Sequence, residues 1–135
     1  MTEAHALQDA PLPKDVVVWA EIPVTDMDRA KAFYAAVLGH ALVDNNDGPN
    51  PMAVLPNLSP ETGIAGHLYP GKPAPRGEGP TVHLAAPDTL EATMERVRDA
   101  GGEVVSPPIA IPSGRFVYCH DLDGNSVGFF QFDKA

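Results

Sequence analysis

Residues 16–39 read VVVWAEIPVTDMDRAKAFYAAVLG. The first nine, VVVWAEIPV, are rich in β-branched side chains and predict a strand. Thr25 or Asp26 is placed to cap a following helix, and Thr25 with Asp28 has a capping-box-like spacing. Met27, Ala30, Phe33, Tyr34, Val37 and Leu38 then recur at helical spacing on one face. Gly39 supplies the glycine that commonly ends a helix. One residue does not suit a buried strand: Glu21 is a carboxylate set among apolar side chains.

Working outward, short strands are predicted at 41–43, 52–55 and 63–69, separated by DNNDGPNP and PNLSPETG. The segment PGKPAPRGEGP, residues 70–80, is too rich in proline and glycine to hold core and predicts a linker. The second half then repeats the first. TVHLAAP predicts a strand, and Asp88 with Glu91 resembles a capping box. Leu90, Met94 and Val97 make a helix face that AGG closes at 100–102. Strands follow at 103–105, 109–111, 116–120 and 126–132. Strand, helix and about three strands thus occur twice, a repeat of element order more than of residue identity. The expected organisation is a polar tail at 1–14 and one domain at 15–135, made of module one (15–69), linker (70–80) and module two (81–132).

Composition narrows the function classes. Apolar residues at 44% and charged residues at 20% fit a globular domain, and 15 prolines with 12 glycines argue against a helical bundle. A formal charge of −9 leaves no basic stripe to neutralise phosphates, so nucleic acid is not an expected partner. Acidity suits cationic ligands, although it also serves solubility. The single cysteine, Cys119, excludes an internal disulfide framework and fits a reducing compartment. No apolar run approaches the ~20 residues that span a bilayer, and the first residues lack the pattern of a signal peptide. A cytoplasmic location, with no membrane partner, is the expectation.

Three stretches carry a resemblance: EIPVTDMDRAKAFYAAVLG, RVRDAGGEVV and DLDGNSVGFF. In this order, and with the internal repeat, the chain resembles the vicinal oxygen chelate superfamily over nearly all of residues 16–132. That superfamily includes glyoxalase I, extradiol dioxygenases and bleomycin-resistance proteins. The resemblance implies an α+β fold in which two βαβββ modules form a cup-shaped mixed sheet with helices outside. It implies a small molecule or a divalent metal in the cup, and makes a homodimer an expected partner state.

Within that architecture strand parity gives Glu21 a place. Val16, Val18, Ala20, Ile22 and Val24 share the face expected against the helix, while Val17, Trp19, Glu21 and Pro23 face the cup. In the second half Val82, Leu84 and Ala86 should face the helix, leaving Thr81, His83 and Ala85 on the cup side. Aligning the helices instead would pair Glu21 with Leu84, but a one-residue slip would put a histidine against the helix.

In metal-using relatives a first-strand histidine or glutamine and a last-strand glutamate bind the ion. The matching positions here are Trp19 and Gly128. Indole has no lone pair of its own to offer and glycine has no side chain, so the usual metal quartet is not expected, and neither is another cofactor. An improvised divalent-metal site from Glu21, His67, His83 and His120 is the alternative, with donor types that suit zinc, iron, nickel or cobalt. Glu21 and His83 are the candidate acid–base residues. The structural alternatives are a Glu21–Arg115 pair and a histidine satisfied by backbone. Trp19, Tyr118 and Phe130 are the candidate ligand-stacking side chains, with Gly128 leaving room beside them. The structural alternative is that they fill the cup themselves. His120 is expected to bond within the DLDGN turn, which reads as structural, and Cys119 as a core thiol. Three functions remain open on this reading: an enzyme without the metal quartet, a protein that sequesters a small molecule, and a metal-dependent lyase, isomerase or dioxygenase with displaced ligands.

Overall fold

The computed structural model describes residues 10–48, 50–58 and 65–133. Its first half runs β1 (Trp19–Val24), α1 (Met27–Leu38), β2 (Val43–Asn45), β3 (Met52–Val54) and β4 (Ala65–Pro70). The second half runs β5 (Val82–Ala85), α2 (Leu90–Asp99), β6 (Glu103–Val104), β7 (Ile109–Ile111), β8 (Gly114–His120) and β9 (Ser126–Phe132). The chain adopts the α+β class and the repeated order expected from its sequence. Its strands are hydrogen-bonded in two mixed sheets, β1-β4-β3-β2 and β5-β9-β8-β6, with β7 also paired to β8.

Register places the site. β1 and β4 are parallel, with Glu21 directly opposite His67. β5 and β9 are also parallel, with His83 opposite Gly128 and Ala85 opposite Phe130. β8 returns antiparallel to β9, so Tyr118 also faces Gly128 and Phe116 faces Phe130.

Both helices form for the reasons their sequences suggest. Asp26 caps α1 by accepting from Arg29 N at 3.1 Å, and Gly39 ends it at φ 79°, a left-handed turn that glycine adopts without a Cβ clash. Ala30, Phe33, Tyr34, Val37 and Leu38 are buried as the spacing predicts. α2 buries Leu90, Thr93 and Val97, and packs toward β8 and β9, whose Val117, Cys119, Val127 and Phe129 are also buried. The helices touch each other as well, where Arg96 Nε donates to Val37 O at 3.2 Å.

Three expectations change. The first strand starts at Trp19, not residue 16, and Trp19 pairs with Ala65 of β4. Val16 and Val18 are consequently 83% and 67% exposed, off the helix face. At α2 the cap is Thr89, which accepts from Ala92 N; the Asp88 carboxylate is taken by Arg96 at 2.7 and 3.0 Å, so the Asp88–Glu91 box does not form. At α1, Thr25 turns its amide and hydroxyl to Asp123 instead of forming a box with Asp28.

That last contact belongs to a polar clamp between the halves. Asp121, only 2% exposed, accepts from Tyr34 Oη at 2.6 Å, from the amides of Asp123 and Asn125, and from Asn125 Nδ2. Asn125 Nδ2 also donates to Pro23 O at 2.8 Å. Burial, reinforced by the Asp121 carboxylate, holds the Tyr34 phenol well above its ordinary pKa, so it remains a donor. DLDGN is therefore structural, as its turn chemistry suggests, and also ties β1 and α1 to β8 and β9. The segment before β5 joins it through Gly77 N, which donates to Gly124 O.

Candidate functional site

Alternation along β1 turns Ile22 and Val24 inward and leaves Trp19 and Glu21 on the outer face. On the neighbouring β4, GHLY buries Leu68 and sets His67 and Tyr69 on the same side as Glu21. Trp19 Nε1 donates to His67 Nδ1 at 2.8 Å. The other ring nitrogen, Nε2, lies 3.3 Å from Glu21 Oε1. The imidazole is almost covered, with 8% of its side chain exposed, whereas 66% of the Glu21 side chain is open. Glu21 thus has one oxygen beside a buried imidazole and most of its surface toward solvent.

The second sheet carries an aromatic platform. His83 stands edge-on to Phe116 at 5.1 Å and tilted to Tyr118 at 5.7 Å. Phe116 meets Tyr118 edge-on and lies parallel to Phe130 at 6.2 Å between ring centres. Leu84 packs on the core while His83 is exposed, which settles the strand parity as the burial pattern suggested. Gly128 has a different reason from the one expected. A Cβ there would lie 2.2 Å from His83 Nδ1, so the imidazole itself occupies the space above this glycine.

Between the sheets lies a shallow cleft of ≈ 150 Å³. Glu21 and Pro23 from β1 border it, with Val82 from β5, Ser126 from β9 and Glu78 from the preceding loop. Among the described residues its walls bring two carboxylates and no basic side chain.

The acid–base pairing inferred from sequence changes accordingly. The partner of Glu21 is His67, across one β ladder, while His83 belongs to the aromatic platform. Arg115 is not the partner of Glu21 either; its guanidinium holds Glu91 at 2.8 and 2.9 Å. His120 contacts Glu103 at 3.1 Å, not the DLDGN turn. Cys119 is fully buried, and burial pushes its thiol up to about 11. Of the stacking candidates, Tyr118 and Phe130 share the platform, whereas Trp19 sits on the other sheet. Phe116, two residues before Tyr118 and on the same face of β8, joins the platform although it is not among the residues expected there.

The residues present do not fit the metal implied by the resemblance. Trp19 spends its only polar hydrogen on His67, and Gly128 lies beneath His83. Glu21, His67, His83 and His120 divide among three separate contacts. Among the described residues no group of three or more histidine, cysteine, aspartate or glutamate side chains is placed to hold a metal ion.

Paired modules with helices covering one side of two mixed sheets, and open polar and aromatic faces on the other, define the class of protein. The chain belongs to the Glyoxalase/Bleomycin resistance protein/Dioxygenase superfamily, whose model matches residues 16–129. It is 34% identical over 111 residues to CFP32 of Mycobacterium bovis, which carries a provisional glyoxylase name; the match covers 80% of this chain and 41% of that protein. The chain therefore spans about two-fifths of the length of the curated relatives it matches. Among solved structures it is similar to TnmS3, an antibiotic binding protein from Streptomyces sp. CB03234, at TM-score 0.59 and 23% identity, covering 91% of this chain and all of that one. A glyoxalase/bleomycin resistance protein from the same organism matches at TM-score 0.59 and 25% identity, covering 84% and 97%. Among the described residues, no helix is long and apolar enough to cross a membrane.

Proposed function

We propose that this chain binds a small organic molecule on the outer faces of its two sheets. Glu21 serves as the polar contact, and His83, Phe116, Tyr118 and Phe130 provide the flat contact area. The observation that carries this reading is the state of Glu21: an open carboxylate at a cleft, held beside a buried imidazole. A carboxylate kept only for solubility has no need of such a backing. The antibiotic-binding role of TnmS3 supports the same reading by analogy of fold. Screening organic compounds by thermal shift and mapping the first stabilising one by NMR tests it, with perturbations expected at Glu21, Tyr118 and Phe130.

Turnover of the bound molecule is a second reading, favoured by the 3.3 Å approach of His67 Nε2 to Glu21. A carboxylate beside a proton-bearing ring is the arrangement a general base uses. In this reading Glu21 takes a proton from the substrate and His67 holds the carboxylate in place. No step is assigned to a metal.

A further inference from the structure

We propose that Trp19, His67 and Glu21 act as one directional unit, an indole-to-imidazole hydrogen bond with a carboxylate beside the far ring nitrogen, which presents only an acceptor at the polar end of the pocket and selects a ligand that brings its own donor, such as a protonated amine. This rests on the reading of Glu21 as a ligand contact.

The direction follows from the donor inventory. Indole Nε1–H can only donate, so the 2.8 Å contact requires a lone pair on His67 Nδ1. A neutral imidazole then carries its one proton on Nε2, the nitrogen 3.3 Å from Glu21 Oε1. The indole hydrogen is thereby committed to His67, and the imidazole hydrogen lies on the ring nitrogen beside Glu21. What faces solvent is the carboxylate, which in its ionised form has lone pairs and no hydrogen to give.

The surroundings have the same sign. Among the described residues Glu78 is the other charged side chain on the cleft wall, and no lysine, arginine or histidine lines it. Tyr69 stands edge-on to the His67 ring at 6.2 Å between ring centres. An anionic ligand at this end would meet like charge with no cationic side chain among the described lining residues to offset it, while an ammonium would find an acceptor already in place. Trp19 and His67 are positioning residues here. Their contribution is to fix which imidazole nitrogen bears the proton, a property that simple packing would not set.

The test uses the full chain and needs no knowledge of the natural ligand. Long-range ¹H–¹⁵N spectra of the imidazoles assign the His67 tautomer, first in the wild type and then in Trp19→Phe, which keeps a ring but loses the N–H. The wild type is expected as Nε2–H alone, and Trp19→Phe as a mixture of both tautomers. Titration with benzylammonium and with benzoate should then shift the Trp19 indole and His67 signals for the cation only. A wild-type ring protonated on Nδ1 would overturn the unit, as would a tautomer unaltered in Trp19→Phe; the first of these needs no variant to fold. An equal or larger response to benzoate would overturn the acceptor-only end. Silence toward both compounds with the Nε2–H tautomer intact would instead overturn Glu21 as a ligand contact, so the two failures are distinguishable.

Discussion

Glu21 and His67 stand opposite each other on adjacent parallel strands, with Glu21 Oε1 3.3 Å from an imidazole whose far nitrogen is already occupied by Trp19. The carboxylate is open and its backing is buried, so its replacement should separate binding from folding. Glu21→Gln keeps the size of the side chain but removes the charge. Stability should change by less than about 0.5 kcal/mol, as for an exposed site. Affinity for a donor-bearing ligand should fall roughly 10- to 100-fold, the range of a lost charged hydrogen bond. Calorimetry with the first ligand found checks this. Where that ligand is turned over, loss of rate with binding retained would identify Glu21 as a base and not an anchor.

Gly128 is tied to His83 by space. Gly128→Ala should force the imidazole off β9 and cost about 1–3 kcal/mol, in the range of overpacking. Adding His83→Ala should recover most of that loss, because the second change removes the atoms the new methyl strikes. A double-mutant cycle by urea denaturation measures the coupling. Simple additivity would contradict the packing described.

The clamp at Asp121 should dominate stability. Asp121→Ala leaves the buried Tyr34 hydroxyl and two turn amides without their acceptor, and should cost about 3 kcal/mol. Tyr34→Phe removes one donor and leaves the other contacts of Asp121 in place, so its cost should be about 1 kcal/mol. Equal losses in denaturant titrations would show that the hub is not the carboxylate.

Acid titration offers a check on the second sheet. The Arg115 guanidinium holds the Glu91 carboxyl at about 2, below its ordinary 4.5. A lowered folded-state pKa gives stabilisation that is present above 4.5 and is lost as pH falls toward 2. Glu91 is solvent-exposed, so the effect on global stability should be small. Carbon-detected NMR of the carboxyl should show the low midpoint in the wild type and a return toward 4.5 in Arg115→Gln. An unchanged midpoint in that variant would dissociate the pair.

Much of the fold was legible because it is written in local periodicity. The α1 face from Met27 to Leu38, the glycine at its end and the alternation that separates His83 from Leu84 each depend on neighbours within a turn or a strand. The site was legible by face but not by partner. Parity set Glu21 outward, yet nothing near it in sequence announces His67, whose place opposite depends on the register of a parallel pair closed over more than forty residues. Gly128 illustrates the same limit: a missing side chain reads as room, and only the fold shows that His83 fills it. The transfer of the α2 cap to Thr89 was hidden for a related reason: Arg96, two turns along the same helix, takes the Asp88 carboxylate.

Binding at Glu21 is tested most directly by mapping where a stabilising organic ligand binds, by NMR perturbation on the wild-type chain and on Glu21→Gln. Shifts are expected at the Trp19 indole, His67, Tyr118 and Phe130, weakened together in the variant. Shifts confined to the helix-covered side, with those four signals unmoved and Glu21→Gln without effect, would contradict it.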